Sequence, residues 1–123
     1  MNQAYKILLV DDDPYILMSL EFLMRKSGFD VMIARNGTET LELLEQNIPD
    51  IVLLDIMMPD VDGYAICAHI KKSETLRNCK VVFLSAKSKD MDIQKGLSLG
   101  AELYITKPFS NKDLVHKITA LLD

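Results

Sequence analysis

Two apolar segments of the chain are each followed directly by aspartate, and the grouping of these carboxylates suggests a metal site. Asp11 and Asp12 follow Lys6–Val10, and Asp55 follows Ile51–Leu54. Clustered carboxylates repel one another unless protons or a cation neutralise them, and their oxygens suit a hard divalent cation such as Mg²⁺. We therefore predict that Asp11, Asp12 and Asp55 form a Mg²⁺ site. We also expect Asp12→Ala to raise the melting temperature in chelator.

Two further polar side chains follow later apolar segments and complete a set that suits phosphoryl chemistry. Ser85 follows residues 79–84, and Lys107 lies just beyond residues 102–105. A carboxylate such as Asp55 can attack phosphorus and form an acyl phosphate, and the charge on the phosphoryl oxygens then needs a metal and a fixed cation. Lys107 is the candidate cation, and the Ser85 hydroxyl is a candidate hydrogen-bond donor to a phosphoryl oxygen.

Each of these residues also has an ordinary structural interpretation. Asp13 before Pro14 is typical of a helix N-cap, and Asp55 taken alone could cap the loop that follows it. Lys107 alone would be a solvated surface lysine, and Ser85 alone would be a turn residue. Their joint placement at the ends of successive apolar segments favours the chemical interpretation.

The other reactive side chains show no site pattern. Cys67 and Cys79 lack metal-ligand spacing and are predicted to be buried, reduced thiols. His69 and His116 lie in predicted helices without a matching partner, so we place them on the surface. The methionines at 57–58 are predicted to be packing residues.

Composition bounds the class of protein. The chain has 123 residues, 49% apolar and 26% charged, which is typical of one soluble domain with a substantial core. A net charge of −4 gives no basis for nonspecific binding to nucleic acid. The apolar runs are far shorter than the roughly 20 residues that span a bilayer, and no charged-then-apolar leader precedes them. We predict one cytoplasmic domain over residues 1–123, with no nucleic-acid or membrane partner.

Strand and helix patterns alternate five times, with strands predicted at about 6–10, 30–34, 50–54, 79–84 and 102–105. The first, third and fourth are continuous apolar runs, as expected for strands buried on both faces of a parallel sheet. This pattern predicts a doubly wound, three-layer α/β sandwich with a five-stranded parallel sheet. Such sheets bind ligands outside the strand carboxyl ends, where the strand order reverses.

The intervening helices differ in how well their sequences support them. Asp13 and Ser110 are predicted to be helix caps, and Gly28 is predicted to end the first helix. The second helix is predicted to follow Asn36 and the third to open at Asp62. The second helix is predicted to bury Leu41 and Leu44. The fourth helix, near 88–98, is the weakest, because Gly96 costs about 1 kcal/mol relative to alanine in a helix interior. A marginal helix beside a site is a candidate moving part.

Four segments of the chain resemble the receiver domain of two-component response regulators. They are residues 7–12, residues 53–59 followed by Asp62 and Gly63, residues 84–86, and residues 100–109. They occur in the order and at the spacing of that family. The resemblance implies a flavodoxin-like, CheY-like (βα)5 fold. It also implies a signalling domain that catalyses only its own phosphorylation and dephosphorylation, and is not otherwise an enzyme.

The resemblance further implies residue roles. Asp55 would accept a phosphoryl group from a histidine kinase or histidine phosphotransfer protein. Mg²⁺ would be bound by Asp11, Asp12 and Asp55, with Asp12 a direct ligand, and by the Met57 backbone carbonyl. Lys107 would neutralise the phosphoryl charge, and its bond to the following proline is usually cis in this family.

Ser85 and Tyr104 match the switch pair of the family. On phosphorylation, Ser85 would move toward the new oxygens and Tyr104 would rotate inward. The surface formed by the fourth helix, fifth strand and fifth helix would then change for a downstream protein or output domain. The expected state is a monomer, with dimerisation on phosphorylation left open. Asp60 stands where the family often has glycine, a departure expected to leave the core chemistry intact.

Three other functions fit parts of this pattern. A phosphatase with an aspartate nucleophile usually has a general acid Asp two residues later, where this chain has Met57. A flavodoxin-like cofactor binder needs a Ser-, Thr- or Gly-rich phosphate loop after the first strand, where the carboxylates at 11–13 would instead repel phosphate. A phosphate-independent interaction module, which keeps the receiver fold without the chemistry, is the alternative that stays open.

Overall fold

The computed structural model describes residues 4–122, so residues 1–3 and 123 of the predicted domain lie outside the described part. Within it, five strands alternate with five helices. In chain order these are β1 Lys6–Val10, α1 Pro14–Lys26, β2 Asp30–Ala34, α2 Gly37–Gln46, β3 Ile51–Leu54, α3 Gly63–Lys72, β4 Lys80–Ser85, α4 Asp90–Ser98, β5 Leu103–Thr106 and α5 Asn111–Leu122. The predicted alternation is confirmed. The last three strands each begin one residue later than predicted, and the fourth helix begins at Asp90.

The five strands form one parallel sheet in the order β2-β1-β3-β4-β5. The strand order reverses between β1 and β3, so a crevice opens at the carboxyl ends of these two strands. Their last residues, Val10 and Leu54, are register partners, and the next amide, of Asp55, donates to the Val10 carbonyl at 3.0 Å. The backbone therefore places the residues after β1 and β3 side by side.

Apolar side chains from the sheet enter two separate cores, one on each face. One core joins Leu8, Val10, Val52 and Leu54 of the strands with helices α2 and α3; its helix residues are Leu44, Tyr64, Ile66, Cys67 and Ile70. The other core joins Ile7, Leu9 and Leu53 with helices α1 and α5; its helix residues are Leu17, Leu20, Met24, Leu114 and Ile118. The alternation of strand side chains between two covered faces confirms the predicted three-layer sandwich.

Helix α4 is the least supported helix of the described chain. Its N-cap residue, Lys89, provides no side-chain hydrogen bond, and Gly96 is its only buried residue. In contrast, the Asp13 carboxylate caps α1 by accepting from the amides of Tyr15 and Ile16, as predicted. A β-carbon at Gly96 would lie 2.9 Å from the Phe83 ring. The glycine that weakens the helix therefore lets it approach the sheet closely.

Several smaller predictions can be checked against the described residues. Cys67 and Cys79 are buried and unpaired, and His69 and His116 are exposed, all as predicted. Leu44 is buried but Leu41 is only partly so, because it lies toward the edge of the apolar stripe of α2. In the part of the chain that the structure describes, no helix has the length and apolar character needed to cross a membrane.

Candidate functional site

Three carboxylates meet at the carboxyl ends of β1 and β3. Oxygen atoms of Asp11, Asp12 and Asp55 lie within 4.8 Å of one another. Asp11 and Asp55 are buried, whereas Asp12 is exposed at the mouth of the crevice. The set consists only of carboxylate oxygens, which are the donors that Mg²⁺ prefers. The structure thus brings together the three aspartates predicted from the sequence, in an arrangement that fits a hard divalent cation.

Lys107 reaches this cluster from the end of β5. Its Nζ atom lies 2.8 Å from Asp11 Oδ2 and 3.8 Å from Asp55 Oδ1, and its side chain is only 18% exposed. The other Asp11 oxygen, Oδ1, accepts from the Asp13 amide at 3.0 Å. The bond from Lys107 to Pro108 is cis, as expected. Lys107 is therefore a cation held beside two buried carboxylates, and the interpretation as a solvated surface lysine is wrong.

The environment of Asp55 disfavours its charged form. Burial raises its pKa from 3.8 to about 6, the neighbouring charge of Asp11 acts in the same direction, and Lys107 opposes both. The exposed Asp12 raises this pKa least. Burial and Asp11, more than Asp12, therefore account for the electrostatic cost of the site, and a bound cation would favour the ionised, nucleophilic form of Asp55.

Ser85 ends β4 inside the crevice and is fully buried. It is paired with Thr106 in the sheet, so it is a strand residue and not a turn residue. Its Oγ accepts from the Lys87 amide at 3.2 Å, and its carbonyl accepts from the Lys107 amide at 2.9 Å. Ser85 is therefore bonded both to Lys107 and to the loop of residues 86–89, here called the β4–α4 loop.

Tyr104 of β5 is turned toward the same loop. Its hydroxyl donates to the Lys87 carbonyl at 2.6 Å, and its ring packs on Phe83 with 5.8 Å between centroids. Burial raises the pKa of Tyr104 to about 12, so the hydroxyl stays a hydrogen-bond donor at neutral pH. The structure describes one position of the ring, half-buried against Phe83, and the inward rotation expected on phosphorylation stays a prediction.

A cleft beside the carboxylates lies between α4 and the loop of residues 55–62, here called the β3–α3 loop. Its lining includes Asp12, Met57, Tyr64, Lys87 and Lys95. Lys95 Nζ lies 4.4 Å from the centre of the Tyr64 ring, an attractive cation–π geometry. The prediction that Met57 packs in the core is wrong, because its side chain is 59% exposed on the cleft. Met58 does pack against the core, as predicted.

One contact near the site was absent from the sequence-based expectations. The Asp60 carboxylate accepts from the Gly37 amide at 2.9 Å, the Thr38 amide at 2.8 Å and the Thr38 hydroxyl at 2.6 Å. These bonds hold the pKa of Asp60 far below its usual range. The first amides of any helix lack partners within the helix, so the start of α2 is expected to need hydrogen-bond acceptors. Nothing in the sequence indicates that a carboxylate 22 residues away would be the acceptor.

Known proteins match both this fold and these motifs. Residues 7–119 match the family described as the response regulator receiver domain. A signal receiver domain of a signal transduction histidine kinase from Syntrophus aciditrophicus is 34% identical, with a TM-score of 0.90 over 97% of this chain and 90% of that one. A CheY-like response regulator receiver domain protein from Methanospirillum hungatei JF-1 is 30% identical, with a TM-score of 0.92 over 98% and 95% of the two chains.

A third similar structure was determined in an activated form. The BeF3-activated receiver domain of DrrB is 32% identical, with a TM-score of 0.89 over 98% of both chains, and DrrB is described as an OmpR/PhoB homologue of Thermotoga maritima. The fold and the family match together define a signalling domain of two-component systems. This chain belongs to the response regulator receiver domain family.

Proposed function

We propose that residues 1–123 form one receiver domain in which Asp55 accepts a phosphoryl group from the phosphohistidine of a histidine kinase or histidine phosphotransfer protein. The observation that carries this proposal is the cluster of three carboxylates within 4.8 Å, with Lys107 Nζ placed 2.8 Å from Asp11 and 3.8 Å from Asp55. Phosphoryl transfer to a carboxylate needs a nucleophile, oxygen ligands for a metal and a fixed positive charge. The site contains candidates for all three.

The acidic residues are suited to hold Mg²⁺. Its protein ligands would be Asp11, Asp12, Asp55 and the Met57 backbone carbonyl. We assign Asp12, which is exposed at the mouth of the crevice, as the carboxylate that binds the metal directly. Asp11 is already oriented by the Asp13 amide and by Lys107. When bound, Mg²⁺ would offset negative charge on the carboxylates and on the phosphoryl oxygens.

The remaining chemistry belongs to the protein side chains. A carboxylate oxygen of Asp55 attacks phosphorus while the bond from phosphorus to the donor imidazole nitrogen breaks. The donor histidine, which carries a proton on its other ring nitrogen, takes the electron pair of that bond and leaves as a neutral imidazole. Lys107, whose Nζ atom lies 3.8 Å from Asp55 Oδ1, would neutralise charge on the transferred group. The Ser85 hydroxyl donates to a phosphoryl oxygen. The low exposure of Asp55, 6%, limits the access of water to the acyl phosphate.

Phosphorylation would then be transmitted through the β4–α4 loop. A phosphoryl group on Asp55 adds nearly two negative charges and strong hydrogen-bond acceptors, which attract Ser85 and Lys107. Lys87 receives the effect because its amide bonds to Ser85 and its carbonyl bonds to the Tyr104 hydroxyl. The surface formed by α4, β5 and α5 changes as a result, and we assign the binding of a downstream protein or output domain to this surface.

The Tyr104 hydroxyl bond gives a direct test of this transmission. In Tyr104→Phe, BeF3⁻ and Mg²⁺ should still perturb the amide resonances around Asp55, because the ligand-binding residues are unchanged. The perturbation of α4 amides should fall severalfold, because one hydrogen bond contributes about 1 kcal/mol. Two-dimensional amide NMR measures both, with Tyr15→Phe, at an exposed tyrosine of α1, as the matched control. An unchanged α4 response in Tyr104→Phe would contradict the proposed route.

Intact-mass spectrometry after incubation with a small phosphodonor tests the function itself. The wild type should gain one phosphoryl group only when Mg²⁺ is present, and Asp55→Asn should gain none. Asp30→Asn, which changes an exposed aspartate at the start of β2, should behave as the wild type. A folded wild-type protein that gains no phosphoryl group would contradict the proposal and favour the phosphate-independent interaction module.

A further inference from the structure

The β3–α3 loop is tied to the first turn of α2 by a set of contacts that we call the Asp60 clamp. The clamp consists of the Asp60 carboxylate, the amides of Gly37 and Thr38, and the Thr38 hydroxyl, joined by three bonds of 2.6 to 2.9 Å. The amide of the next residue, Glu39, donates to the Asn36 side chain at 2.8 Å. A loop carboxylate thus completes the capping of α2, at the helix end that favours negative charge.

Close packing reinforces these bonds. A β-carbon on Gly37 would lie 2.5 Å from Val61 Cβ and 2.8 Å from the Val61 carbonyl oxygen. Separations this short do not occur between real side chains, so only glycine lets the loop rest on the helix at this distance. The clamp therefore fixes Asp60 and Val61 against α2 both through polar bonds and through shape.

The clamped residues share a short loop with a proposed metal ligand. Met57 lies three residues before Asp60, and the loop is closed at its other end by a bond of 2.9 Å from the Gly63 amide to the Ile56 carbonyl. Both anchors restrain the segment that carries the Met57 carbonyl. The carboxylate cluster contributes only side-chain oxygens, so this carbonyl is the proposed ligand whose position depends on the loop backbone.

We propose that Asp60 is a positioning residue for the phosphoacceptor reaction: by docking the β3–α3 loop onto α2, it sets the place of the Met57 carbonyl and thereby the affinity of the site for Mg²⁺. Asp60 does not touch the carboxylate cluster and acts only through the loop. The inference rests on the proposed function, because it assigns a role toward the metal of that same site. It also assigns a role to a residue whose departure from the glycine common in the family is otherwise expected to leave the core chemistry intact.

Asp60→Gly removes the whole clamp, whereas Thr38→Val removes only the hydroxyl bond and leaves both amide bonds. We expect the Mg²⁺ dissociation constant to rise about tenfold in Asp60→Gly, as for other residues that orient metal ligands, and less in Thr38→Val. Amide NMR titration with Mg²⁺ alone measures the constants. Hydrogen exchange of the Gly63 amide in metal-free protein gives an independent readout and should accelerate in Asp60→Gly. Glu45→Gln removes an exposed charge from α2 and should leave both quantities unchanged.

Three results would overturn the inference. Unchanged Mg²⁺ affinity in a folded Asp60→Gly, with faster exchange only at Gly37 and Thr38, would reduce Asp60 to a helix cap. An equal loss of affinity in Glu45→Gln would show that long-range charge, and not loop position, is responsible. If the wild-type protein binds no Mg²⁺, both the proposed function and this inference are overturned. If the wild type binds Mg²⁺ and Asp60→Gly binds it equally well, only this inference is overturned. Thermal melting of each variant verifies that it is folded.

Discussion

Lys107→Met is expected to accept a phosphoryl group at Asp55 about 100-fold more slowly than the wild type, the usual effect of removing one group that stabilises transition-state charge. Methionine retains most of the length of the side chain but removes the positive charge 3.8 Å from Asp55. The transferred group then gains negative charge beside two buried carboxylates without a protein cation to offset it. Rates of adduct formation at saturating Mg²⁺, measured by intact-mass spectrometry, provide the comparison.

A matched lysine separates this effect from a general loss of positive charge. Lys112→Met changes an exposed lysine of α5 and should leave the rate within about twofold of the wild type, since exposed charges act weakly across water and salt. Lys107→Met should also raise the pKa of Asp55 further, because Lys107 is the side-chain charge that lowers it. A rate in Lys107→Met within threefold of the wild type would remove this lysine from the proposed mechanism.

Asp55→Asn is expected to be more stable than the wild type in chelator at neutral pH and above, by about 2 kcal/mol. The pKa of Asp55 rises from 3.8 to about 6 on folding, so its contribution to stability is full below about pH 4 and is lost as the pH rises through 6. Each pKa unit corresponds to about 1.4 kcal/mol, and we reduce the total because the crevice opens to solvent. The advantage of the variant should therefore grow between pH 4 and 7.

Chemical denaturation at several pH values, with and without Mg²⁺, measures this difference. Mg²⁺ at a hundred times its dissociation constant should stabilise the wild type by about 2.7 kcal/mol and should stabilise Asp55→Asn much less. Asp12→Ala should give a smaller gain in chelator, because exposed Asp12 raises the pKa of Asp55 least. Equal stabilities of wild type and Asp55→Asn at all pH values, with no response to Mg²⁺, would exclude both the electrostatic cost and the metal site.

The grouping of the site residues could be predicted because parallel strands end at one edge of a sheet. The positions of Asp11, Asp12, Asp55, Ser85 and Lys107 at strand ends were sufficient to place them together, whereas their roles in the reaction stay predictions. The starts of the strands are predicted less well. Strands β3 and β4 each begin one residue later than predicted, at Ile51 and Lys80, because hydrogen-bond pairing across the sheet decides where a strand begins.

Contacts between distant loops could not be predicted. The clamp by Asp60 joins residues 22 and 23 positions apart, and neither partner has a local pattern that identifies the other. The exposure of Met57 depends on the direction in which the β3–α3 loop leaves the sheet, which composition does not encode. The low helix propensity of glycine marks Gly96 as a weak point of α4, but only the packing shows that the rings of Phe83 and Tyr104 leave no room for a side chain there.

The position of Gly96 limits how stiff α4 can become. Alanine would strengthen the isolated helix by about 1 kcal/mol, but its methyl group would lie 2.9 Å from a ring atom of Phe83 and 3.1 Å from one of Tyr104. Phe83 is fully buried, so a larger residue would require a shift of the helix or of one of the two rings. The packing of α4 on Phe83 and Tyr104 therefore limits how rigid this helix can be, and a sequence optimised for helix formation alone would lose the contact between α4 and Tyr104.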